Sequence, residues 1–395
     1  MADAPKIATP PQRKRLAVFL DGTWNVVGDN TNVWRLKSLC APSDSSGTEQ
    51  LSYYEKGVNG FLGGVFGRGL DGNITDSYQW LINNYEVEDD IFIFGFSRGA
   101  YTARSLAGFV AKCGLLKAGA PLGVKQLYER YRRPNERTIW ALLDAQQNGT
   151  IGEITLEEQW MLKYSMAIHI KLVGVWDTVG ELGIPLFSIP RISRSTLGFL
   201  TTGLRRPIDF GFHALAVDEH RQVYSPTLWT VKALNHPDPD AAPPRPITSV
   251  EQRWFVGAHA NVGGGYESDL LPQIPLRWLM KKASLHGLAF RNDVDLDGDE
   301  LKAPITDSYR TFMYGIYHWF SRPYYRPLAG PPKVAKDGTE KTVNETIDAS
   351  VFARWNNDRN YRPPNLVEWA NRQQVNIEKI NTSVLADVPA MPAPD

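Results

Sequence analysis

Ser97 stands between two glycines in the run Ile91-Phe92-Ile93-Phe94-Gly95-Phe96-Ser97-Arg98-Gly99-Ala100. Four apolar, β-favouring residues lead into Gly-x-Ser-x-Gly, and a helix-like pattern follows at once. A strand that turns sharply into a helix presents the central serine at its tip as a nucleophile. Gly95 and Gly99 lie where a Cβ would collide in so tight a turn. Beyond them Ala100, Ala103 and Ala107 recur at helical spacing and leave a slim face to pack on a sheet. The bland alternative is a glycine-bounded turn with an idle serine.

A serine hydroxyl is a weak nucleophile near neutral pH. It needs an imidazole to take its proton and a carboxylate to orient and stabilise that imidazole. Where such a serine sits on an elbow, its partners follow in the order acid, then histidine, on loops after later strands. Asp177 ends a strand-like run, Lys171-Leu172-Val173-Gly174-Val175-Trp176-Asp177, in a loop bounded by Gly180. His259 ends Trp254-Phe255-Val256-Gly257-Ala258-His259, and Val262-Gly263-Gly264-Gly265 follows. Seven histidines compete for the base. His213 and His220 flank a helix-like stretch, His169 lies in a strand run, and His236, His286 and His318 have no strand before them. His259 is therefore the expected base with His213 the rival, and Asp177 the expected acid with Asp218 the fallback. For an oxyanion, the Arg98 N–H is the expected first donor. The second is expected from Leu20-Asp21-Gly22-Thr23-Trp24-Asn25, as the N–H of Gly22 or Thr23.

Three lookalikes fail on their own residues. Asp21-Gly22-Thr23 after a strand suggests a haloacid-dehalogenase phosphatase, but its nucleophilic aspartate would fall on Phe19. Asp293-Val294-Asp295-Leu296-Asp297-Gly298 begins like a calcium loop, yet its twelfth position is Pro304. Gly63, Gly64 and Gly69 lack the Gly-Lys-Ser/Thr of a phosphate loop and read as a flexible loop near the site.

These residues need strands that end together. Runs at Leu16–Leu20, Leu51–Tyr54, Ile91–Phe94, Ile168–Trp176 and Arg253–Val256 alternate with helical patterns, which predicts an α/β fold of the hydrolase type. Its sheet is mostly parallel and covered by helices on both faces. Ligands bind outside the carboxyl ends of such strands, where the loops above should converge. Gly180 to Phe212 mixes apolar residues with Pro, Gly, Ser and Arg and reads as a cap-like insertion. The expected organisation is a loose tail over 1–12, one domain over 13–387 with C-terminal elaboration over 288–387, and a loose tail over 388–395.

Composition removes other classes. The chain has 395 residues, 43% hydrophobic and 22% charged, which suits a globular protein. Lys+Arg and Asp+Glu both total 43, so no bulk field attracts nucleic acid. Two cysteines, Cys40 and Cys113, cannot build a disulfide framework or a four-cysteine zinc site. Neither a signal peptide nor a membrane-spanning run is read, so the expectation is a protein cytoplasmic as synthesised, with any export by a signal-independent route.

Taken together, Phe19-Leu20-Asp21-Gly22-Thr23-Trp24-Asn25, the Ser97 elbow, Gly174 to Gly180 and Gly257 to Tyr266 resemble the α/β-hydrolase domain of bacterial type VI secretion lipase effectors of the first class. His213 to Glu219 and Tyr361-Arg362-Pro363-Pro364-Asn365-Leu366 resemble further blocks of that family, so the likeness runs from about residue 15 to 366. It implies a Ser–Asp–His hydrolase of esters, phospholipids included, and supports Ser97, Asp177 and His259 by motif position. One departure is Asn261, where the family pattern leads us to expect Asp.

The leading expectation is a serine esterase or lipase that needs no cofactor or metal. Its substrate is an ester or a phospholipid, with transient contact with a membrane surface. Tyr309, Phe312, Tyr314, Tyr317, Trp319 and Phe320 could engage a lipid surface, but aromatics at that density more often fill a core or a subdomain interface. A secretion or immunity partner would accompany the resemblance. The alternatives are a catalytically idle hydrolase fold that binds, and a hydrolase of another acyl bond (thioester, polyester or peptide).

Overall fold

The computed structural model describes residues 13–22, 30–57, 66–133, 136–179, 207–234, 245–335, 338–380, 382 and 391–392. Thr23, Trp24, Asn25, Gly63, Gly64, His236, the cap-like stretch over 180–206 and most of both tails lie outside these residues.

Eight described strands form one sheet. In spatial order they are Met391–Pro392, Glu345–Ile347, Val250–Phe255, Ile208–Ala216, Ile170–Trp176, Asp90–Phe96, Arg15–Leu20 and Gln50–Glu55. Every neighbouring pair is parallel except the first, which is antiparallel. Central strands of such a sheet are buried on both faces, which is why they read as unbroken apolar runs.

The pleat sorts their side chains into two cores. Leu16, Val18, Leu20, Ile91, Ile93, Val173 and Val175 face one side, where the helix Arg98–Cys113 lays Ala100, Ala103 and Ala107 against them. Ala17, Phe19, Phe92, Phe94, Phe96, Leu172 and Trp176 face the other side and meet helices Asn32–Leu39 and Gln273–Leu285. Phe19 stacks on Phe94 with ring centroids 5.3 Å apart. Gly174 leaves room for that ring, since a Cβ there would stand 2.9 Å from Phe94. A third core, around Trp254, Phe352, Leu366 and Trp369, fastens helices Ala349–Asn357 and Pro364–Gln373 at one end of the sheet.

Several sequence readings change. The helix-like stretch at His213 belongs to the strand Ile208–Ala216, which runs between two others. The continuous apolar run Ala214-Leu215-Ala216-Val217 reads equally as a buried helix or as a strand packed on both faces, since periodicity alone does not separate them. The same strand takes residues 208–212 out of the cap-like insertion. Gly69 lies in the helix Phe66–Asn84 and not in a loop. Met391–Pro392, inside the tail read as loose, pairs with Thr346 and Ile347. The acidic run at 293–298 is an irregular segment whose carboxylates accept nearby backbone N–H groups: Val294 N–H donates to Asp293 Oδ1 (2.8 Å) and Asp299 N–H to Asp297 Oδ1 (3.0 Å).

Candidate active site

Five strand ends meet on the carboxyl edge of the sheet. Ser97 follows Asp90–Phe96 and precedes the helix Arg98–Cys113, with φ 58° and ψ −122°. A non-glycine residue there is strained, at a cost of about 1–3 kcal/mol. The surroundings enforce the strain. A Cβ on Gly95 would lie 2.5 Å from Gly99 O, and one on Gly99 would lie 2.2 Å from Leu20 O. The elbow is therefore wedged against the end of the neighbouring strand Arg15–Leu20. Ser97 N–H donates to Trp176 O at 3.1 Å, which ties it to the strand end that carries Asp177.

Asp177, fully buried, has φ 37°, a second strained position at the same edge. Its Oδ2 accepts from His259 Nδ1 at 2.6 Å, and its Oδ1 from Ala216 N–H at 3.1 Å. Arg326, also fully buried, donates Nη1–H to Oδ1 at 2.7 Å and Nη2–H to Oδ2 at 3.0 Å. Burial opposes ionisation of Asp177, but the Arg326 charge and then the His259 hydrogen bond outweigh it. The carboxyl is held well below the usual range. With Asp177 ionised, Nδ1 of His259 carries the proton and Nε2 keeps its lone pair. Burial lowers the His259 pKa, with the Asp177 bond working against the shift.

The His259 ring packs against two aromatic rings. Phe96, the residue before Ser97, is 4.7 Å away by centroids, and Tyr224 is 4.9 Å away. Gly263 exists for that Phe96 ring, because a Cβ would stand 2.0 Å from it. The His259 backbone N–H donates to Glu219 Oε2 at 3.2 Å. Glu219 in turn accepts from Ser308 Oγ (3.0 Å) and from Arg221, whose guanidinium stacks 3.7 Å over Tyr224. Burial opposes its charge, but Arg221 holds the Glu219 carboxyl down at about 2.

The rivals have other work. His213 accepts the Thr178 N–H at Nε2 (3.1 Å) and donates Nδ1–H to Gln252 (3.4 Å), so both nitrogens are engaged in holding the Asp177 turn. Burial and then the nearby Arg104 charge push it down to about 3, leaving it neutral. Asp218 accepts from the Gly257 N–H (2.7 Å) and the Tyr361 hydroxyl (3.1 Å), which shapes the loop before His259. Gly22 differs from expectation. Its N–H donates to Asp21 Oδ1 at 2.8 Å, which engages the group expected to face an oxyanion. Asp21 is itself fixed by the Thr31 and Tyr54 hydroxyls at 2.5 and 2.9 Å.

Asn261 uses both ends of its amide. Oδ1 accepts from Ala258 N–H (3.0 Å) and Thr306 N–H (3.1 Å), while Nδ2 donates to Asp269 Oδ2 (2.8 Å). The Asp expected here from the resemblance would set a carboxylate against Asp269, whereas the amide of Asn261 donates to it. Arg326, Glu219, Arg221 and Tyr224 were not singled out from sequence. No spacing marks Arg326; the Pro after it signals only an extended segment.

The family model described as the catalytic domain of Tle1-like phospholipase effectors of type VI secretion systems matches residues 14–282. An uncharacterized protein of Saccharomyces cerevisiae is 28% identical over 313 residues, covering 70% of this chain and 40% of that protein. Among solved structures, an uncharacterized protein from Pseudomonas aeruginosa has a TM-score of 0.42 at 14% identity, covering 79% of this chain and 51% of that one. The Tle1 effector bound to the VgrG spike from the type VI secretion system has a TM-score of 0.30 at 17% identity, covering 66% and 53%. The chain thus spans about 40% of the yeast relative and about half of each solved chain. No helix among the described residues is long and apolar enough to cross a membrane.

Proposed function

We propose that this chain, which belongs to the family of Tle1-like phospholipase effector catalytic domains of type VI secretion systems, is a serine hydrolase cleaving carboxylic esters, phospholipids among them, through Ser97, His259 and Asp177. One observation carries the assignment. A serine on a strained elbow, φ 58°, adjoins a ring that packs on a histidine whose Nδ1 is 2.6 Å from a buried carboxylate.

In this reading Ser97 Oγ attacks the acyl carbonyl and His259 Nε2 takes the hydroxyl proton. Asp177 keeps Nδ1 protonated and stabilises the imidazolium. The oxyanion meets the Arg98 N–H at the start of a 16-residue helix, where backbone donors have no intrahelical acceptor. A second donor from Gly22 requires its N–H to turn away from Asp21. Collapse expels the alcohol, a lysophospholipid when the substrate is a phospholipid, protonated by His259. Water, deprotonated by the same nitrogen, then attacks the acyl-enzyme and releases the fatty acid. Export by a type VI secretion system, with a secretion partner, is part of the proposal and rests on family membership.

A fluorophosphonate probe on wild type and Ser97→Ala tests the assignment, with fatty-acid release from phosphatidylglycerol vesicles as the second readout. The expected result is one adduct, on Ser97, and loss of both signals in the variant. Hydrolysis that survives Ser97→Ala would overturn it.

A further inference from the structure

We propose that Arg326 is a positioning residue of the acyl-transfer site, a guanidinium fork that locks both oxygens of Asp177 so that one direction on Oδ2 is left for His259. The inference rests on the triad reading above and extends it to a residue beyond the stretch 14–282 that the family model covers.

The geometry of the carboxylate makes the case. Asp177 Oδ1 is engaged by Arg326 Nη1 and Ala216 N–H at 2.7 and 3.1 Å. Oδ2 is engaged by Arg326 Nη2 and His259 Nδ1 at 3.0 and 2.6 Å. Two of these four donors come from one planar group, so the carboxylate cannot rotate about its Cβ–Cγ bond without breaking both. The same guanidinium donates to Ala216 O (2.9 Å) and Tyr224 O (2.6 Å). It therefore joins the Asp177 turn, the end of the next strand and the residue whose ring packs on His259. Asn365 secures the fork from behind, donating Nδ2–H to the backbone oxygens of Arg326 (3.1 Å) and Val217 (3.0 Å).

A fixed cation also has an electrical effect. Arg326 neutralises the charge that would otherwise stabilise a protonated His259, so the fork gives orientation and lowers imidazole basicity together. A residue that merely filled space would do neither.

Arg326→Met and Arg326→Lys separate the two effects. Arg326→Met removes charge and fork, so the acid limb of kcat/KM should move to higher pH by about one unit or more. Its kcat should fall about a hundredfold, the scale of a misplacement of about 1 Å, with KM within a few-fold of wild type. Arg326→Lys keeps the charge and loses the fork, so kcat should fall while the acid limb stays in place. The His259 imidazole titration, followed by NMR of histidine-labelled protein in a Ser97→Ala background, needs no turnover. It should show the same upward shift for Arg326→Met. A missing Ser97 adduct would sink the triad reading and leave this titration to decide the fork. Titrations that agree within a few tenths of a unit in folded wild type and Arg326→Met would overturn the proposal. If Arg326→Met does not fold, Arg326→Lys with wild-type kcat overturns it equally.

Discussion

Asp177→Asn isolates the charge of the proposed acid at nearly constant volume, and the structure says why the amide cannot substitute. Four donors converge on the carboxylate: His259 Nδ1 and Arg326 Nη2 on Oδ2, Arg326 Nη1 and Ala216 N–H on Oδ1. An amide has one oxygen, so its NH2 must face two of those donors. If it faces His259, the imidazole gives up its Nδ1 proton and Nε2 becomes N–H, unable to act as a base. If it faces Ala216 and Nη1, the tautomer survives but the imidazolium loses its counter-charge. The first arrangement is the costlier, and losses of about ten-thousandfold in kcat accompany such a wrong tautomer. That equals about 5 kcal/mol of transition-state stabilisation. Arg326 would also lose the only carboxylate it touches among the described residues, and an uncompensated buried charge costs about 3 kcal/mol or more in folding. The assay is hydrolysis of a short-chain chromogenic ester at pH 8, normalised to the folded fraction from circular dichroism, with Asp218→Asn in parallel. Asp218 supports the loop before His259, so its variant should lose activity only in step with loop stability. Asp177→Asn within tenfold of wild type, beside a dead Asp218→Asn, would refute the assignment of the acid.

Three further outcomes are expected. Because burial lowers the His259 pKa and the base must be neutral, kcat/KM should rise with pH through a midpoint below the ordinary 6.5; a pH–rate profile with its acid midpoint above 7 would contradict this. Ser97→Gly should be inactive yet more stable than wild type by about 1–3 kcal/mol less glycine's entropic cost, since glycine accepts φ 58° without strain; urea titration measures the difference, and a lower midpoint than wild type counts against strain at the elbow. Asn261→Asp should destabilise the His259 loop by setting a second carboxylate 2.8 Å from Asp269 Oδ2, whose pKa burial already raises. The sign follows from both carboxyls being driven above their unfolded values: the loss is small below about pH 4 and grows as pH rises towards 7. Thermal melts across that range should show the trend, and Asp269→Asn in the same chain should reverse it.

What could be read from sequence divides along a physical line. The parallel sheet was legible because its central strands are buried on both faces, and Leu16–Leu20 or Ile91–Phe94 then admit no polar residue. The pairing of Asp177 with His259 was legible for a related reason. Both sit one to four residues past a strand end, and parallel strands deliver all such ends to one edge. Glycine was informative wherever backbone meets backbone, as at Gly95 and Gly99. The strand Ile208–Ala216 was not legible, because the continuous apolar run at its end, Ala214-Leu215-Ala216-Val217, carries the same signal in a buried helix as in a doubly covered strand. Nor was the N–H of Gly22, whose direction depends on the torsions of a single peptide and on the carboxylate of Asp21. Arg326 is the extreme case. It meets Asp177 across 149 residues of chain, from an extended segment with no periodicity of its own. A buried guanidinium leaves no local pattern, since what makes it tolerable is a set of acceptors on other loops: Asp177, Ala216 O and Tyr224 O. Motif spacing therefore finds the groups proposed to react, which lie at strand ends, and misses Arg326, which is bonded to one of them. The consequence for this chain is specific: the residues beyond 282 carry Arg326, Ser308, Thr306, Tyr361 and Asn365, each bonded to the candidate site or its loops, so a piece ending at 282 would carry the proposed triad of Ser97, Asp177 and His259 without those contacts.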